Sequence, residues 1–339
     1  MTSESDHPSA PADDAGATAT AAAVAGGAAL LAHDPLWPRT GSWPVPEGDT
    51  DLTLVGVGTH RTSLSRSRAD TTPAAIRAAL RRYSAFATVP GRGAVDLEHE
   101  LQLADAGDLA APDHGVDPDA EGVDGEQRAI AALAALARRT RLLLALGGDN
   151  AATVPVALGA LGDGIVGAGL ITFDAHHDLR EGISNGSPVR RLIEAGLDPR
   201  RVVQIGIADF ANSLEYSRRA RDLGITVITR DELLDRPIAD AVAEALEIAG
   251  GAGPTARIHV DVDVDVCDRS VAPGCPASVP GGLSAAELRR AVRTVAADAR
   301  VTSLDLTEID ATADTPDGRT VRLAAQLVLE SAAGLAARP

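Results

Sequence analysis

Short apolar runs alternate with helical patterns along most of this chain, and that alternation constrains the fold more than any other feature. Asp51–Val57, Leu142–Leu146, Gly169–Phe173, Val202–Ile207, Thr226–Ile228, Ala256–Val264 and Val301–Leu306 read as strands. Helical spacing covers Pro73–Ser84, Gln127–Arg139, Pro188–Ala195, Ser213–Leu223, Asp231–Ile248, Ser284–Ala297 and Thr320–Ala337. Strands separated by helices imply parallel βαβ units, with helices on both faces of one sheet in a three-layer α/β fold. Ala104–Gly125, rich in Asp, Gly and Pro, reads as a long surface loop. Residues 1–35, rich in Ala, Gly, Ser, Thr and Asp, read as a disordered extension, which leaves 36–339 as one catalytic domain.

Hydrophobic residues make up 45% of the chain and charged ones 23%, enough apolar surface for a buried core. Aromatics are only 2%, so Ala, Val, Leu and Ile must fill that core. A net charge of -17 argues against nucleic acid or an anionic membrane as partner, since both reward a basic face. Cys267 and Cys275 provide no disulfide framework and read as small packing residues in a reducing compartment. The weakly apolar stretch Ala19–Ala32 follows acidic residues and reads as neither signal peptide nor membrane span, so a cytoplasmic protein is expected.

Polar clusters stand where the strands should end, the place where open α/β sheets bind ligands. They are Gly147-Gly148-Asp149-Asn150, Asp174-Ala175-His176-His177-Asp178 and Asp261-Val262-Asp263-Val264-Asp265. In an extended segment, residues two apart share a face, so Asp174, His176 and Asp178 should point together, as should Asp263 and Asp265. Converging carboxylates resist ionising together, and two divalent cations would balance the four of them. Oxygen and imidazole donors suit Mn²⁺, and a metal pair about 3.5–4 Å apart activates water for attack. A fourth acidic strand end, Asp305-Leu306-Thr307-Glu308-Ile309-Asp310, strengthens the reading.

Taken together these segments resemble the ureohydrolase (arginase/agmatinase) superfamily, and formimidoylglutamases most of all. The family pattern runs GGDH, DAHxD, DxDxxDP…APG and DxxE; this chain offers GGDN, DAHHD, DVDVCDRSVAPG and DLTE, spanning Gly147 to Glu308. The segment from Gly56 to Leu80 also resembles the family's first strand, turn and helix. The resemblance implies an arginase-like α-β-α fold around a mostly parallel sheet of about eight strands, two Mn²⁺ per subunit and a homo-oligomer of three or six. It places Asp174 and Asp263 between both metals, Asp178 and Asn150 on the first, and His176 and Asp265 on the second. Glu308 would hold the amidine-like cation of the substrate, with Asp178 and Asp265 among the catalytic groups. Asn150 stands where the family has His, and an amide oxygen is the weaker donor, so the first site should bind metal less tightly.

Two positions bear on the substrate. Arginases and agmatinases usually carry a shuttle His in the segment matching Ser184–Arg190, where this chain has Asn185, which cannot relay a proton at neutral pH. Arg180 stands where arginases tend to have Asn, and its planar fork suits a carboxylate. Both resemble formimidoylglutamases, so N-formimidoyl-L-glutamate, a small amidine from histidine degradation, is the leading expectation. Arg180, Asn185, Ser187, Arg190 and Asp209 are the expected substrate contacts, beside Glu308. The rival within the class is a urea-releasing agmatinase, arginase or guanidino-acid hydrolase. The rival outside it is a metal-poor pseudoenzyme, kept open by Asn150.

Overall fold

The computed structural model describes residues 34–115, 124–251 and 256–339, so nearly all of the expected extension, 1–35, and part of the expected 104–125 loop lie outside the described residues. In chain order the elements are β1 (Thr50–Val57), α1 (Thr72–Leu80), β2 (Phe86–Val89), β3 (Gly93–Asp96), α2 (Leu97–Glu100), β4 (Leu103–Asp108), α3 (Gly125–Ala137) and β5 (Thr140–Gly147). Then follow α4 (Thr153–Leu161), β6 (Gly169–Phe173), α5 (Pro188–Glu194), β7 (Val202–Ile207), α6 (Leu214–Leu223), β8 (Thr226–Thr229), α7 (Glu232–Asp235) and α8 (Ile238–Gly250). The chain finishes through β9 (Ile258–Asp263), α9 (Ala285–Ala297), β10 (Val301–Thr307) and α10 (Arg319–Ala336).

Eight strands form one sheet in the order β4-β1-β5-β10-β9-β6-β7-β8, and every pairing in it is parallel. The apolar runs explain the layers. On β5, Leu142, Leu144 and Leu146 face the cluster that includes α8, α9 and α10, while Leu143 and Ala145 face Leu133, Val156 and Ala160 of α3 and α4. Both faces of the sheet are therefore covered, as a parallel sheet requires. The last strands of this sheet to enter, β9 and β10, insert between β5 and β6. All four polar clusters thus end on the four adjacent central strands.

The structure differs from the sequence expectations in several places. Residues 103–108, mostly expected as loop, form the edge strand β4 beside β1, with Leu103 and Ala104 buried. The acids that disguised it have a structural use: Arg77 on α1 donates to both oxygens of Asp105, at 2.7 and 2.9 Å, and also to Asp108. The helix expected over Asp231–Ile248 is two helices, because Pro237 lacks the amide a continuous helix needs. Helix α4 was not expected, since it is buried almost all round and shows little periodicity. No helix among the described residues is long and apolar enough to cross a membrane.

Replacing Arg77 by Ala leaves two edge-strand acids without their guanidinium partner. We expect a loss of about 2 kcal/mol in urea unfolding, with faster amide exchange along β4. Unchanged stability and exchange would show that the strand needs no such fastening.

Candidate metal centre

Glycine makes the first part of the site possible. A Cβ at Gly148 would collide with the Thr59 carbonyl, and only without one can the turn after β5 lie against the turn after β1. That contact carries the Asp149 amide to the Thr59 carbonyl at 2.8 Å and the Thr59 hydroxyl to the Asp149 carbonyl at 3.1 Å. Asp149 is buried, takes a 2.7 Å hydrogen bond from the Ser63 hydroxyl, and caps the short turn that carries Asn150.

Asp174, His176 and Asp265 come together most tightly. His176 Nδ1 lies 3.3 Å from Asp174 Oδ1 and 3.1 Å from Asp265 Oδ2. One potential ligand atom from each of the three lies within 4.8 Å of the others. The second oxygen of Asp174 is buried without a partner, an orphaned acceptor that burial makes costly. Neither acidic segment is extended throughout, as the spacing had suggested. Asp178 adopts φ 53°, and Asp265 sits in a 3₁₀ turn where its amide donates to Asp263 Oδ1 at 2.9 Å. The groups converge through these turns, not through strand alternation.

Asn150 and Glu308 close the cluster from β5 and β10. Asn150 Nδ2 donates to Asp178 at 2.6 Å, and its Oδ1 accepts from the hydroxyls of Thr153 and Thr307 at 2.7 and 3.0 Å. Glu308 has φ 65° and is buried; its Oε2 accepts from the Asn150 amide at 2.9 Å. Asn185 Nδ2 donates to both Glu308 oxygens, at 3.0 and 3.1 Å. Strained backbone at two acidic positions of one cluster is typical of functional sites.

The electrostatics are those of a cluster short of positive charge. Burial, with the charge of Asp265 adding to it, lifts the Asp174 carboxyl to about 6 despite its hydrogen bond from His176. Burial and neighbouring acids raise Asp178 and Asp263 well above the usual carboxylate range. Burial and the charges of Asp149 and Asp265 lift Glu308 to about 8. Burial would lower His176, but Asp265 and Asp174 overcome it and push the imidazole up to about 12. Oxygen donors with an imidazole, an orphaned carboxylate oxygen and several carboxyls driven toward protonation fit divalent cations, which would supply the missing charge.

A cavity of about 490 Å³ opens on this cluster, lined by His176, Asp178, Asp263, Asp265 and Glu308 within and by Arg180, Phe210, Tyr216, Leu64 and Ser65 among others. Arg180 is exposed on it and has no ion pair among the described residues. Three expected substrate contacts lie elsewhere. The Arg190 guanidinium is spent on Arg180 O at 2.6 Å, Gly182 O and Glu194 at 2.5 Å, and so fastens the loop instead of facing the cavity. Ser187 is fully buried and bonds to Ser184 O at 2.8 Å. Asp209 is exposed and lines a neighbouring cavity of about 420 Å³. Arg191, a further arginine of that helix, pairs with Glu126 at 2.9 and 2.6 Å.

Residues around the cluster hold its turns in place. Asn212 clamps the loop after β7 to the Asp174–Asp178 turn, donating to Ala175 O at 2.8 Å and Ala208 O at 3.1 Å and accepting from His177 N at 3.0 Å. His177 points away from the cluster, its ring nitrogens facing Gln204 at 2.7 Å and Ser217 at 3.2 Å. Beneath the site, Asp261 and Asp305 are buried side by side on paired strands, and Asp261 is raised well above the carboxylate range by burial and by Asp305. Cys267 and Cys275 are free and buried, and burial pushes both thiols up, away from the thiolate a metal would take.

A family model described as the arginase family matches residues 50–334. The formimidoylglutamase of Bacillus subtilis is 33% identical over 293 residues, 84% of this chain and 88% of its own length. Its crystal structure superposes with a TM-score of 0.80 at 30% identity, covering 91% of this chain and 95% of that one. A Trypanosoma cruzi formiminoglutamase with Mn²⁺ has the same fold at 23% identity, with a TM-score of 0.74 over 89% of this chain and 100% of its own.

The raised groups set a direction for stability in the metal-free protein. Asp174 at about 6 and Glu308 at about 8 keep protons that the unfolded chain has released, and His176 at about 12 keeps its proton above the unfolded value of 6.5. Stability of the metal-free protein therefore falls as pH rises, from 3.8 to about 6 through Asp174, from 4.5 to about 8 through Glu308, and from 6.5 upward through His176. We expect Mn²⁺ to raise the Tm on the order of 5 °C and to flatten that dependence, measured by thermal unfolding with and without chelator. A Tm indifferent to both pH and Mn²⁺ would contradict the reading.

Proposed function

The chain belongs to the arginase family and is a hydrolase of amidino or guanidino C–N bonds, and from that premise we propose that it cleaves N-formimidoyl-L-glutamate to L-glutamate and formamide with two Mn²⁺ at the acidic cluster. Asp174, His176, Asp178, Asp263 and Asp265, with Asn150, would hold the cations. When bound, the pair supplies Lewis acidity and activates water. Asn150 is compatible with this if its amide turns over. The Thr153 and Thr307 hydroxyls can accept as readily as they donate, so only the bond to Asp178 is given up, and a cation would replace it.

Water adds to the formimidoyl carbon, the bond from that carbon to the glutamate nitrogen breaks, and this nitrogen takes up a proton. Glu308 accepts hydrogen bonds from the amidine N–H groups, and the cationic substrate offsets the burial that raises its carboxyl in the free protein. Asp265 and Asp178 are the carboxylates placed to move protons. Asn185 holds Glu308 in place and cannot itself carry a proton.

Arg180 is the observation that carries the substrate. Its guanidinium has no charged partner among the described residues and stands on the rim of a cavity whose floor is otherwise acidic, which suits an amidine with a carboxylate tail. One observation favours a second reading. Arg180 is the single guanidinium among the residues lining the cavity, so a guanidino acid with one carboxylate is also accommodated.

With Mn²⁺-loaded protein we expect formamide and glutamate from formimidoylglutamate, and no urea from agmatine or arginine. Urea release without formamide would overturn the substrate. Arg180→Ala should raise KM about tenfold or more with metal content unchanged; an unaltered KM would remove Arg180 from recognition.

A further inference from the structure

Formimidoylglutamate carries two carboxylates, and Arg180 at the exposed rim can pair with one. Most other polar groups on the cavity wall are already committed. Asn185 donates to Glu308 and accepts from Leu64 N at 3.0 Å. Both ends of the Asn212 amide are used on backbone groups, and both His177 ring nitrogens on Gln204 and Ser217. Among the described lining residues, hydroxyls of Ser65, Ser213 and Tyr216 remain free to donate. Ser65 and Ser213 are exposed, where water competes, whereas Tyr216 is half-buried.

The Tyr216 ring is also fixed in place. Its amide is capped by Ser213 Oγ at 3.2 Å in the first turn of α6. Arg219 lies 5.5 Å from the ring centroid and is itself held by Leu179 O at 2.8 Å and Glu181 at 2.5 Å. The attraction between the guanidinium and the ring face helps to hold the ring where it is. A neutral donor also adds no charge to compete for the acids below.

We propose that Tyr216 is a specificity-determining residue whose hydroxyl donates to the substrate's α-carboxylate, the one nearer the formimidoyl group, while Arg180 pairs with the distal carboxylate. The division follows depth: the α-carboxylate is close to the reacting carbon and meets the more enclosed donor. It rests on the formimidoylglutamate reading, and it explains how a cavity with one guanidinium reads a dicarboxylate.

Tyr216→Phe keeps the ring and its stacking while removing only the donor. In Mn²⁺-loaded protein, KM for formimidoylglutamate should rise about tenfold, with kcat held within about twofold. For 4-(formimidoylamino)butanoate, which lacks the α-carboxylate, Y216F should leave KM unchanged, whereas Arg180→Ala should raise it. Equal KM values for variant and wild type on formimidoylglutamate, or equal losses on both substrates, would overturn the assignment. If the wild type does not turn over formimidoylglutamate, the functional reading fails, and equilibrium binding of L-glutamate then judges Tyr216 separately. Binding about tenfold weaker in Y216F supports its role; identical affinities, or no binding by either protein, overturn it.

Discussion

Buried acids that repel one another are the constraint around which this molecule is arranged. Asp174, Asp178, Asp263, Asp265 and Glu308 are all nearly inaccessible to water, and only His176 and a few amide donors stand against them. The turns at the strand ends fold over these side chains and leave them little contact with water, so solvation relieves little of the repulsion. Raised carboxyls and a strongly basic imidazole are the signs of that unmet charge. The proposed cations follow from it directly.

Holding such a cluster together takes a scaffold that cannot spread. The turns bearing the acids are tied to one another through backbone: Glu308 N to Gly148 O at 2.9 Å, Arg180 N to Gly186 O at 2.9 Å, and Arg190 N to Asp178 O at 3.2 Å. Arg190 and Asn212 add side-chain clasps across neighbouring loops. With these in place, the left-handed backbone at Asp178 and Glu308 is over-determined by its surroundings and persists. The same rigidity fixes the backbone from which Arg180 reaches the cavity.

Most of this was legible in sequence because it depends on local pattern. Apolar runs such as Gly169–Phe173 and Val202–Ile207 match the strands to the residue, since both faces are buried and a single polar residue in each, Thr172 and Gln204, does not break the pattern. The order of chemistry at their ends was equally clear. What escaped was decided by tertiary partners. The acids of β4 look like loop until Arg77 is seen between them, and α4 hides its helical nature because nearly every side is core. At the site, Arg190 and Ser187 sit at the right distance in sequence but are consumed by carbonyls of their own loop. Tyr216 comes from a separate helix, and no spacing rule connects it with the acidic segments.

The account stands on cations occupying the acidic cluster. Its most direct measurement is anomalous diffraction at the manganese edge from crystals grown with Mn²⁺. Two peaks about 3.5–4 Å apart, one beside His176 and Asp265 and one beside Asp178 and Asn150, are the expected result. Maps with no peak among these residues would contradict it.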